Sequence, residues 1–454
     1  STLNQMSMFG SISGSIIDLP AGPLEFVLGF DNRKEKADYL SDQMALLSIA
    51  IRGSQTESTN GQFNIDSKYI ELSIPVVSDM PFAQDVRVDY GYRELENTNS
   101  LRTNKYDVDA LSIFWRINDE IAVRASEQTT TKSPNIDDLY GPLNPSFQQA
   151  LDPCDARYVA DGDFPANRAA NCASIGIDTS TFRSFVAGGT VQGVSGGNPR
   201  LLDESGETNS YGIIYTPSND FFDAIGNVSM SADYIEILLT DYVTTFALID
   251  FMEACYDAAS FPNNFCDSFT RDPETNQVNG FSVGAGNAGT IDFGTYIYRI
   301  NWDKDFSIGN LSLAWRGYQQ DKRNQADSGD PADLVDKTGY ASDPEWVQDL
   351  TIGLAKNDHF AYYKMDFVDG GYINKQQTDI RADRYIGASG QPMTEYDGYF
   401  TDTIGYVYTP TEDITLAIRV SNPLDHDGSE DRYQVERGTL LIGRTISTSF
   451  SIKF

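Results

Sequence analysis

The last twelve residues of the chain, 443–454, alternate strictly between two kinds of side chain. One parity carries the larger, mostly apolar residues Ile446, Thr448, Phe450, Ile452 and Phe454, and the other carries serine, threonine and lysine. Because successive side chains of a β-strand point to opposite faces, this segment predicts a strand with one apolar and one polar face. A closing strand of this kind is typical of a transmembrane β-barrel, with a soluble β-protein as the alternative.

The composition is consistent with such a barrel. No run of 18 or more apolar residues occurs, which excludes a helical membrane span. Aromatic residues nevertheless make up 12% of the chain, although only 40% is hydrophobic. Barrels combine these properties, because only alternate strand residues face lipid and aromatic side chains gather at the two membrane interfaces. An aromatic-rich secreted β-protein would have a similar composition.

The charge of the chain limits its partners. A net charge of −33 argues against binding to nucleic acid, which requires a basic surface. The acidic residues concentrate in the segments 152–163, 327–336 and 425–431, which we interpret as loops. A solvent-exposed surface explains these acidic residues. The alternative is that they have a function and bridge divalent cations.

The alternating pattern recurs along the whole chain and predicts an all-β transmembrane antiparallel barrel in a single domain, 1–454. Fifteen strands are predicted, at 11–19, 24–31, 65–77, 84–93, 107–117, 120–130, 207–217, 227–239, 289–303, 310–321, 347–356, 359–369, 395–409, 414–421 and 443–454.

The predicted connections alternate between short turns and long polar segments. The long ones are 32–64, 94–106, 131–206, 240–288, 322–345, 371–394 and 422–442. In outer-membrane barrels the short turns are periplasmic and the long loops external. Because the predicted strand count is odd, the first predicted strand runs towards the periplasm, as the last one does. Barrels of this class have even strand counts. We therefore expect the barrel to be incomplete at its amino-terminal side.

Four cysteines fall into two local pairs, Cys154 with Cys172 and Cys255 with Cys266. Four cysteines permit three connectivities. Pairing within each loop is favoured because each pair lies inside one long inter-strand segment, and disulfides imply an oxidising compartment. The chain has only two histidines, His359 and His426, and neither lies near these cysteines, which argues against zinc.

The sequence contains no arrangement typical of an enzyme. The two histidines support no Ser/His/Asp triad, and the segment Gly10–Gly14 approaches a nucleophile elbow only superficially because it lies in a predicted strand. The segment Asp425–Gly428 lacks the further ligands of a calcium loop. We predict no enzymatic activity, no cofactor and no metal.

Five segments, taken in order, resemble motifs of the carboxy-terminal barrel of TonB-dependent receptors. They are Lys132–Tyr140, Gly197–Leu201 with Glu204, Asp233–Ile237, Val420–Asp425 and Gly443–Arg444. In the first, Lys132 and Ser133 replace the usual Arg-Ala, and Asp138 replaces Glu. The terminal Phe454 is similar to the assembly signal of Gram-negative outer-membrane proteins. The resemblance covers residues 132–454, and residues 1–131 carry no sharp motif.

The resemblance implies a plugged barrel of 22 strands in the outer membrane of a Gram-negative bacterium. The fifteen predicted strands would then be strands eight to twenty-two, with the plug and about seven strands absent. It also implies import of a scarce or bulky ligand (oligosaccharide, peptide, siderophore or cobalamin), energised by the TonB–ExbB–ExbD complex through the plug, in a membrane of lipid and lipopolysaccharide. A passive porin-like channel or structural barrel is the alternative function.

The two longest loops, 131–206 and 240–288, are the predicted ligand-binding elements. Aromatic and arginine side chains there could stack on a ligand and bond its polar edges. The candidates are Tyr140, Phe147, Tyr158 and Arg168 in the first loop and Phe246 and Tyr256 in the second, with Phe164, Phe251, Phe261 and Phe265 as further aromatic residues. The alternative is that these rings pack the interiors of their own loops.

Overall fold

The computed structural model describes residues 1–47, 58–162, 164–287, 289–326, 334–340, 342–372, 395–425 and 443–453. Its strands are β1 (Thr2–Leu19), β2 (Gly22–Tyr39), β3 (Thr59–Met80), β4 (Ala83–Asn99), β5 (Thr103–Arg116), β6 (Ile121–Lys132), β7 (Asn144–Gln148), β8 (Val191–Gly196), β9 (Glu204–Tyr215), β10 (Asn227–Thr240), β11 (Val243–Phe246), β12 (Phe269–Arg271), β13 (Val278–Asn287), β14 (Thr290–Phe306), β15 (Gly309–Ala326), β16 (Val335–Asp336), β17 (Trp346–Lys356), β18 (His359–Val368), β19 (Gly371–Tyr372), β20 (Glu395–Tyr396), β21 (Tyr399–Thr411), β22 (Ile414–Ser421) and β23 (Thr445–Ile452).

The helices are few and short. They are α1 (Gln43–Leu46), α2 (Ile136–Tyr140), α3 (Pro165–Ser174), α4 (Asp220–Ile225) and α5 (Leu248–Tyr256), with 3-10 turns at Phe185–Ala187 and Asn264–Ser268. No helix in the described ranges is long and apolar enough to cross a bilayer.

One large sheet, here called the wall sheet, contains the fifteen predicted strands. Its order is β1-β2-β3-β4-β5-β6-β9-β10-β14-β15-β17-β18-β21-β22-β23, and β16 pairs beside β15. Every neighbouring pair along this path is antiparallel. The predicted antiparallel, next-neighbour arrangement is therefore confirmed. Among the described residues, no ladder joins β1 to β23.

Several wall strands are longer than predicted, and the predicted long loop 32–64 is wrong over much of its length. β2 continues to Tyr39 and β3 begins at Thr59, paired as Tyr39 with Thr59. The apolar alternation stops after Phe30 because residues 31–36 are all polar or charged, so the periodic signal is lost although the strand continues. The ladder hydrogen bonds continue regardless of side-chain polarity.

Short connections lie at one rim of the wall sheet. β1 and β2, β3 and β4, β14 and β15, β17 and β18, and β21 and β22 are each joined by two residues. The connection between β9 and β10 contains α4, so the tight turn predicted there is a short helix. The longer connections leave the opposite rim, as the sequence predicts. One predicted long loop, 94–106, is wrong, because β4 continues to Asn99 and β5 begins at Thr103, which leaves three connecting residues.

The two faces of the wall sheet differ in chemistry. On the inner face, against which α2 packs, Arg124 donates two hydrogen bonds to Asp233, at 2.9 and 2.8 Å, and Arg316 bonds Asp349 at 2.9 Å. The outward face carries exposed apolar side chains at the alternate positions, such as Ile113. This is the arrangement of a lipid-facing exterior and a polar interior.

Two aromatic belts lie on the outward face. The external belt includes Tyr296, Tyr298, Trp315 and Trp346, whose rings stack with centroids 6.1–6.4 Å apart. The periplasmic belt, next to the short turns, includes His359, Tyr406 and Tyr408, and Trp302 and Trp115, whose indole N–H groups bond turn carbonyls. Amphipathic rings of this kind collect at the two membrane–water interfaces.

Candidate functional site

A second sheet lies at the external rim, built from the two longest loops. It contains β7, β8, β11, β12 and β13, and with α3 and α5 it forms a unit that we call the cap. β8 from the first loop pairs in parallel with β13 from the second, with Ser282 opposite Val194. The two predicted loops are therefore one folded unit, which the spacing along the sequence did not indicate.

The cap has its own hydrophobic core. Leu248 and Met252 on α5 are fully buried. Phe246 and Phe251 pack with ring centroids 4.9 Å apart, and Phe265 lies 6.0 Å from both. Residues of both loops contribute to this cluster. The apolar residues of α5 recur at helical spacing and turn one face towards the core.

Both predicted disulfides are present in the cap. Cys154 and Cys172 are bonded with their Cα atoms 5.6 Å apart, and Cys255 and Cys266 with theirs 5.0 Å apart. Three of these four cysteines are buried in the core of the cap. Each bond closes one segment of one loop, so the disulfides stabilise the two halves separately.

Arg168 joins the two halves. Its guanidinium donates hydrogen bonds to both carboxylate oxygens of Asp257, each at 2.5 Å, and to Glu253 at 3.2 Å. The side chain is buried, which by itself would lower its pKa, but the bonds to Asp257 and Glu253 raise the pKa above the ordinary value. The arginine therefore stays charged and holds α3 against α5.

A second arginine, Arg271, whose side chain is 9% exposed, also joins the two loops. It donates to both oxygens of Asp152, at 2.9 and 2.7 Å, and to the hydroxyl of Tyr256 at 2.9 Å. Burial would lower the pKa of Arg271, but the interaction with Asp152 raises it. The guanidinium also lies 5.3 Å from the Tyr256 ring centroid and 5.8 Å from that of Phe269, which adds cation–π attraction.

Asp155 is a third buried charge of the cap. Burial would raise its pKa, but hydrogen bonds from the Arg157 side chain, at 2.9 and 2.7 Å, and from the Ser184 N–H, at 2.7 Å, lower the pKa to about 2. The carboxylate is therefore ionised throughout the ordinary pH range and fixes the turn around the first disulfide.

The segment that resembles the first receptor motif docks the cap on the inner face of the wall sheet. Asn135 caps α2 by accepting a hydrogen bond from the Asp138 N–H, and Asp138 bonds back to the Asn135 N–H. Tyr140, at the end of α2, lies directly on the backbone of Gly61 in β3, where a Cβ atom would overlap its ring. Leu139 packs beside it against Phe63.

The second motif segment packs on the first. The Gly197 N–H bonds the Gly141 carbonyl at 3.0 Å, and the Asn198 N–H bonds the Asp138 carbonyl at 2.6 Å. Leu201 is buried in the same cluster as α2. The two segments that resemble receptor motifs are thus a structural joint between the cap and the wall.

Polar contacts complete this joint. Asn97, on the inner face of β4, donates to Asp203 at 2.6 Å, and Asn104 donates to the same carboxylate at 3.3 Å. Glu204 accepts from Lys132 at 2.9 Å and from the Val243 N–H at 2.7 Å. Because Val243 begins the second loop, Glu204 connects both halves of the cap to the wall.

The structure places the six predicted ligand residues in different settings. Tyr140, Arg168, Phe246 and Tyr256 are buried in the joint or the cap core. They make the internal contacts described above, and less than a tenth of each residue is exposed. Phe147 is 58% exposed, and Tyr158 is partly exposed with Arg157 over its ring at 5.1 Å. Ligand contact stays a prediction, centred on Phe147 and Tyr158.

Three of the four further loop aromatics also pack within the cap. Phe251 is buried, Phe261 stacks on Tyr256 with centroids 5.7 Å apart, and Phe265 packs against the core. Phe164 is partly exposed at the start of α3. The alternative interpretation, that these rings form the interior of the loops, therefore describes most of them.

A cavity of about 750 Å³ on the inner wall was not predicted from the sequence. It lies below the joint, along β1–β6, and its polar lining includes Glu25, Glu71, Asp89, Ser73 and Gln128. Ser73 donates to Asp89 at 2.6 Å. The polar residues at alternate positions of these strands could have indicated the cavity, because residues at those positions face the interior of a barrel.

Metal binding has no support in the part of the chain that the structure describes. Within it, no group of three or more His, Cys, Asp or Glu residues is placed to hold an ion. The candidate calcium loop falls largely outside the described residues, since only Asp425 of that segment lies within them.

Comparison with known proteins gives matches in structure only. No protein-family profile and no curated protein sequence matches the chain. The siderophore receptor PirA from Acinetobacter baumannii matches with a TM-score of 0.60 and 13% identity, over 100% of this chain and 55% of that receptor. A variant of the ferric enterobactin receptor PfeA from Pseudomonas aeruginosa, in complex with enterobactin, matches with a TM-score of 0.60 and 14% identity, over 100% and 54%.

A third match is Pseudomonas aeruginosa FpvA bound to pyoverdine, with a TM-score of 0.52 and 11% identity, over 100% of this chain and 48% of that receptor. The chain thus spans about half the length of the receptors it matches. These proteins are receptors and not enzymes, and the match covers their barrel portion. The chain therefore has the fold of the barrel portion of the TonB-dependent receptors of the Gram-negative outer membrane.

Proposed function

We propose that this chain forms the barrel wall and external ligand-binding surface of an outer-membrane receptor that imports a scarce or bulky ligand. The observation that carries the proposal is the cap. It is a folded, disulfide-bonded unit, docked through Tyr140 and Leu139 on the inner face of the wall. Such a structure favours a receptor over a passive pore, because a preorganised surface lowers the entropic cost of binding a ligand.

Energy for import would come from the TonB–ExbB–ExbD complex, through a plug that the receptor fold accommodates inside the barrel. The structurally similar proteins are described as siderophore receptors, and one contains enterobactin. For this chain we propose import but no single ligand. The candidates are a siderophore, cobalamin, an oligosaccharide and a peptide. Phe147 and Tyr158 are the cap residues proposed to contact it.

The test uses the full-length protein in cells. Uptake of labelled ferric enterobactin, cyanocobalamin, maltohexaose and a hexapeptide is compared between cells with and without the gene, with and without a protonophore. We expect uptake of one probe to depend on both the gene and the proton-motive force. Uptake of several small probes that persists with the protonophore would instead indicate a passive channel.

Point variants then locate the binding surface. We expect Phe147→Ala combined with Tyr158→Ala to weaken binding of the transported probe by about tenfold or more, as for loss of two aromatic contacts. The matched control is Phe221→Ala, which removes a 65% exposed ring at the opposite, periplasmic rim. Equal binding by the double variant and the control would exclude these cap residues from the site.

A further inference from the structure

A groove of about 550 Å³ crosses the outward face of the wall sheet over β5, β6, β9, β10 and β14. Four of these strands each contribute two lining residues that are two positions apart, such as Tyr211 with Ile213 on β9. Residues two apart in a strand share one face. The groove therefore lies on the lipid-facing side and not in the lumen.

The floor of the groove is formed where small side chains stand beside large ones. Ala125 is paired with Tyr211 in one cross-strand row, and Ala232 is paired with Ile213 in the adjacent row. Elsewhere the same face carries leucine, isoleucine and aromatic residues at most positions. The two alanines leave a depression between raised neighbours.

The lining is apolar although it includes two charged residues, Arg124 and Asp233. Their side chains bond each other on the inner face at 2.9 and 2.8 Å, so on the outward side these residues contribute only backbone. Tyr211 and Ile213 are 57% and 47% exposed on the outward side. The groove thus presents hydrocarbon and ring surface without a charged side chain.

The groove follows two neighbouring cross-strand rows, one from Trp115 to Ala232 and the other from Ile113 to Tyr296. At one end is Trp115, whose indole N–H bonds the carbonyl of Phe82 in a periplasmic turn at 2.8 Å. At the other end is Tyr296 of the external belt, which packs against Tyr234 with centroids 4.7 Å apart. Tyr234 is fixed in turn by a hydrogen bond to Asp321 at 3.1 Å.

We propose that this groove is a binding site for one acyl chain of a membrane lipid. Its apolar lining and its continuity with the lipid-facing surface match a hydrocarbon chain. Because lipid tails are as apolar as the protein surface, binding rests on van der Waals packing and not on escape from water. The groove supplies that packing through rigid rings on either side of a floor of small residues. The site is independent of the imported ligand.

The experiment uses the purified full-length protein in bilayers of phosphatidylethanolamine that carries a photoactivatable diazirine at mid-chain. After illumination, labelled peptides are mapped by mass spectrometry. We expect labelling concentrated on the strands that line the groove, with Tyr211 and Tyr234 as the principal sites. Labelling spread evenly around the lipid-facing surface would overturn the proposal.

Filling the groove is the sharper test. Ala232→Trp places a large ring on the floor and is expected to abolish the excess labelling. The matched control, Ala361→Trp, adds the same ring on the outward face of β18, outside the groove, and should leave labelling of the groove unchanged. If Ala232→Trp fails to fold, as judged by heat-modifiable electrophoretic mobility, Ala125→Leu replaces it.

A second copy of the chain is the competing occupant. Native mass spectrometry in detergent distinguishes the two cases. A dimer that Ala232→Trp dissociates would assign the groove to protein–protein contact and refute lipid binding. A monomer that retains lipid, and loses it on Ala232→Trp but not on Ala361→Trp, would support the acyl-chain site.

Discussion

The guanidinium of Arg168 and the carboxylate of Asp257 form a two-point hydrogen-bonded ion pair between residues 89 positions apart, with both distances 2.5 Å. Arg168 lies on α3 in the first loop, and Asp257 directly follows α5 in the second. Because the arginine is 1% exposed, its charge has no access to water and depends on this partner. The pair therefore couples the folding of the two loops.

Removing the acidic partner should open the cap. Asp257→Ala leaves a buried arginine charge without its main partner, which costs about 3–5 kcal/mol. We expect faster proteolysis of both loops on intact cells, with the barrel unchanged. The control is Asp178→Ala, which removes an exposed carboxylate that bonds only Ser180 and Thr181 nearby. If both variants were cleaved at the same rate, the coupling role would be refuted.

The disulfides should stabilise the cap and not the barrel. Replacing both Cys154 and Cys172 with serine releases a closure over 18 residues, for which the chain-entropy model gives about 3 kcal/mol. We expect greater hydrogen exchange in the cap and unchanged exchange in β14 and β15. Equal loss of protection in those wall strands would contradict the separation of cap and barrel.

Acid should loosen the cap through Asp155. Its pKa is lowered to about 2 in the folded protein, below the ordinary value near 4, so its stabilising contribution is complete above about pH 4 and is lost as the pH falls towards 2. The shift corresponds to about 2 kcal/mol. The protection factors of the cap amides, which correct for the intrinsic pH dependence of exchange, should fall between pH 5 and pH 2.

The matching variant for the pH experiment is Asp155→Asn, which cannot ionise. We expect the variant cap to exchange faster at pH 6 and to lose much of its dependence on acid below pH 4. An unchanged acid dependence in Asp155→Asn would refute the role assigned to Asp155.

The register of the wall sheet predicts opposite outcomes for two adjacent residues. Leu313 pairs with Trp302 and Ile352 on the outward face, whereas Ser312 faces inwards. Leu313→Arg should impair assembly, because a charge facing lipid costs about 2–4 kcal/mol at mid-membrane. Ser312→Arg should have a much smaller effect. The measurement is the folded fraction in outer-membrane preparations, and equal fractions would contradict the register.

The joint between cap and wall should depend on a glycine. At Gly61 a Cβ atom would overlap the ring of Tyr140, so Gly61→Leu should displace α2 and expose residues 132–140 to protease. Gly91 offers a matched control on the same inner face, since the nearest side-chain atom to an added Cβ, in Glu71, is 3.9 Å away. Equal exposure of α2 in both variants would argue against the docking.

The sequence by itself determined the wall. Alternation such as that of Leu311, Leu313 and Trp315 is set by the period of two in a strand and by the contrast between lipid and lumen, and both act locally. Strand number, order and the placement of short turns followed from it. The strand ends did not, as at Tyr39 and Thr59, because the unbroken run of polar and charged residues at 31–36 removes the periodic signal.

Only the tertiary structure decided the organisation of the cap. The contact of Arg168 with Asp257, the parallel pairing of β8 with β13 and the burial of Tyr140 on Gly61 join residues far apart in sequence. No local pattern specifies which long-range partner a buried charge or ring will meet, because many acidic and aromatic residues of the loops were equally eligible. The wall brings the two loops to neighbouring positions on one rim, and packing then selects the partners.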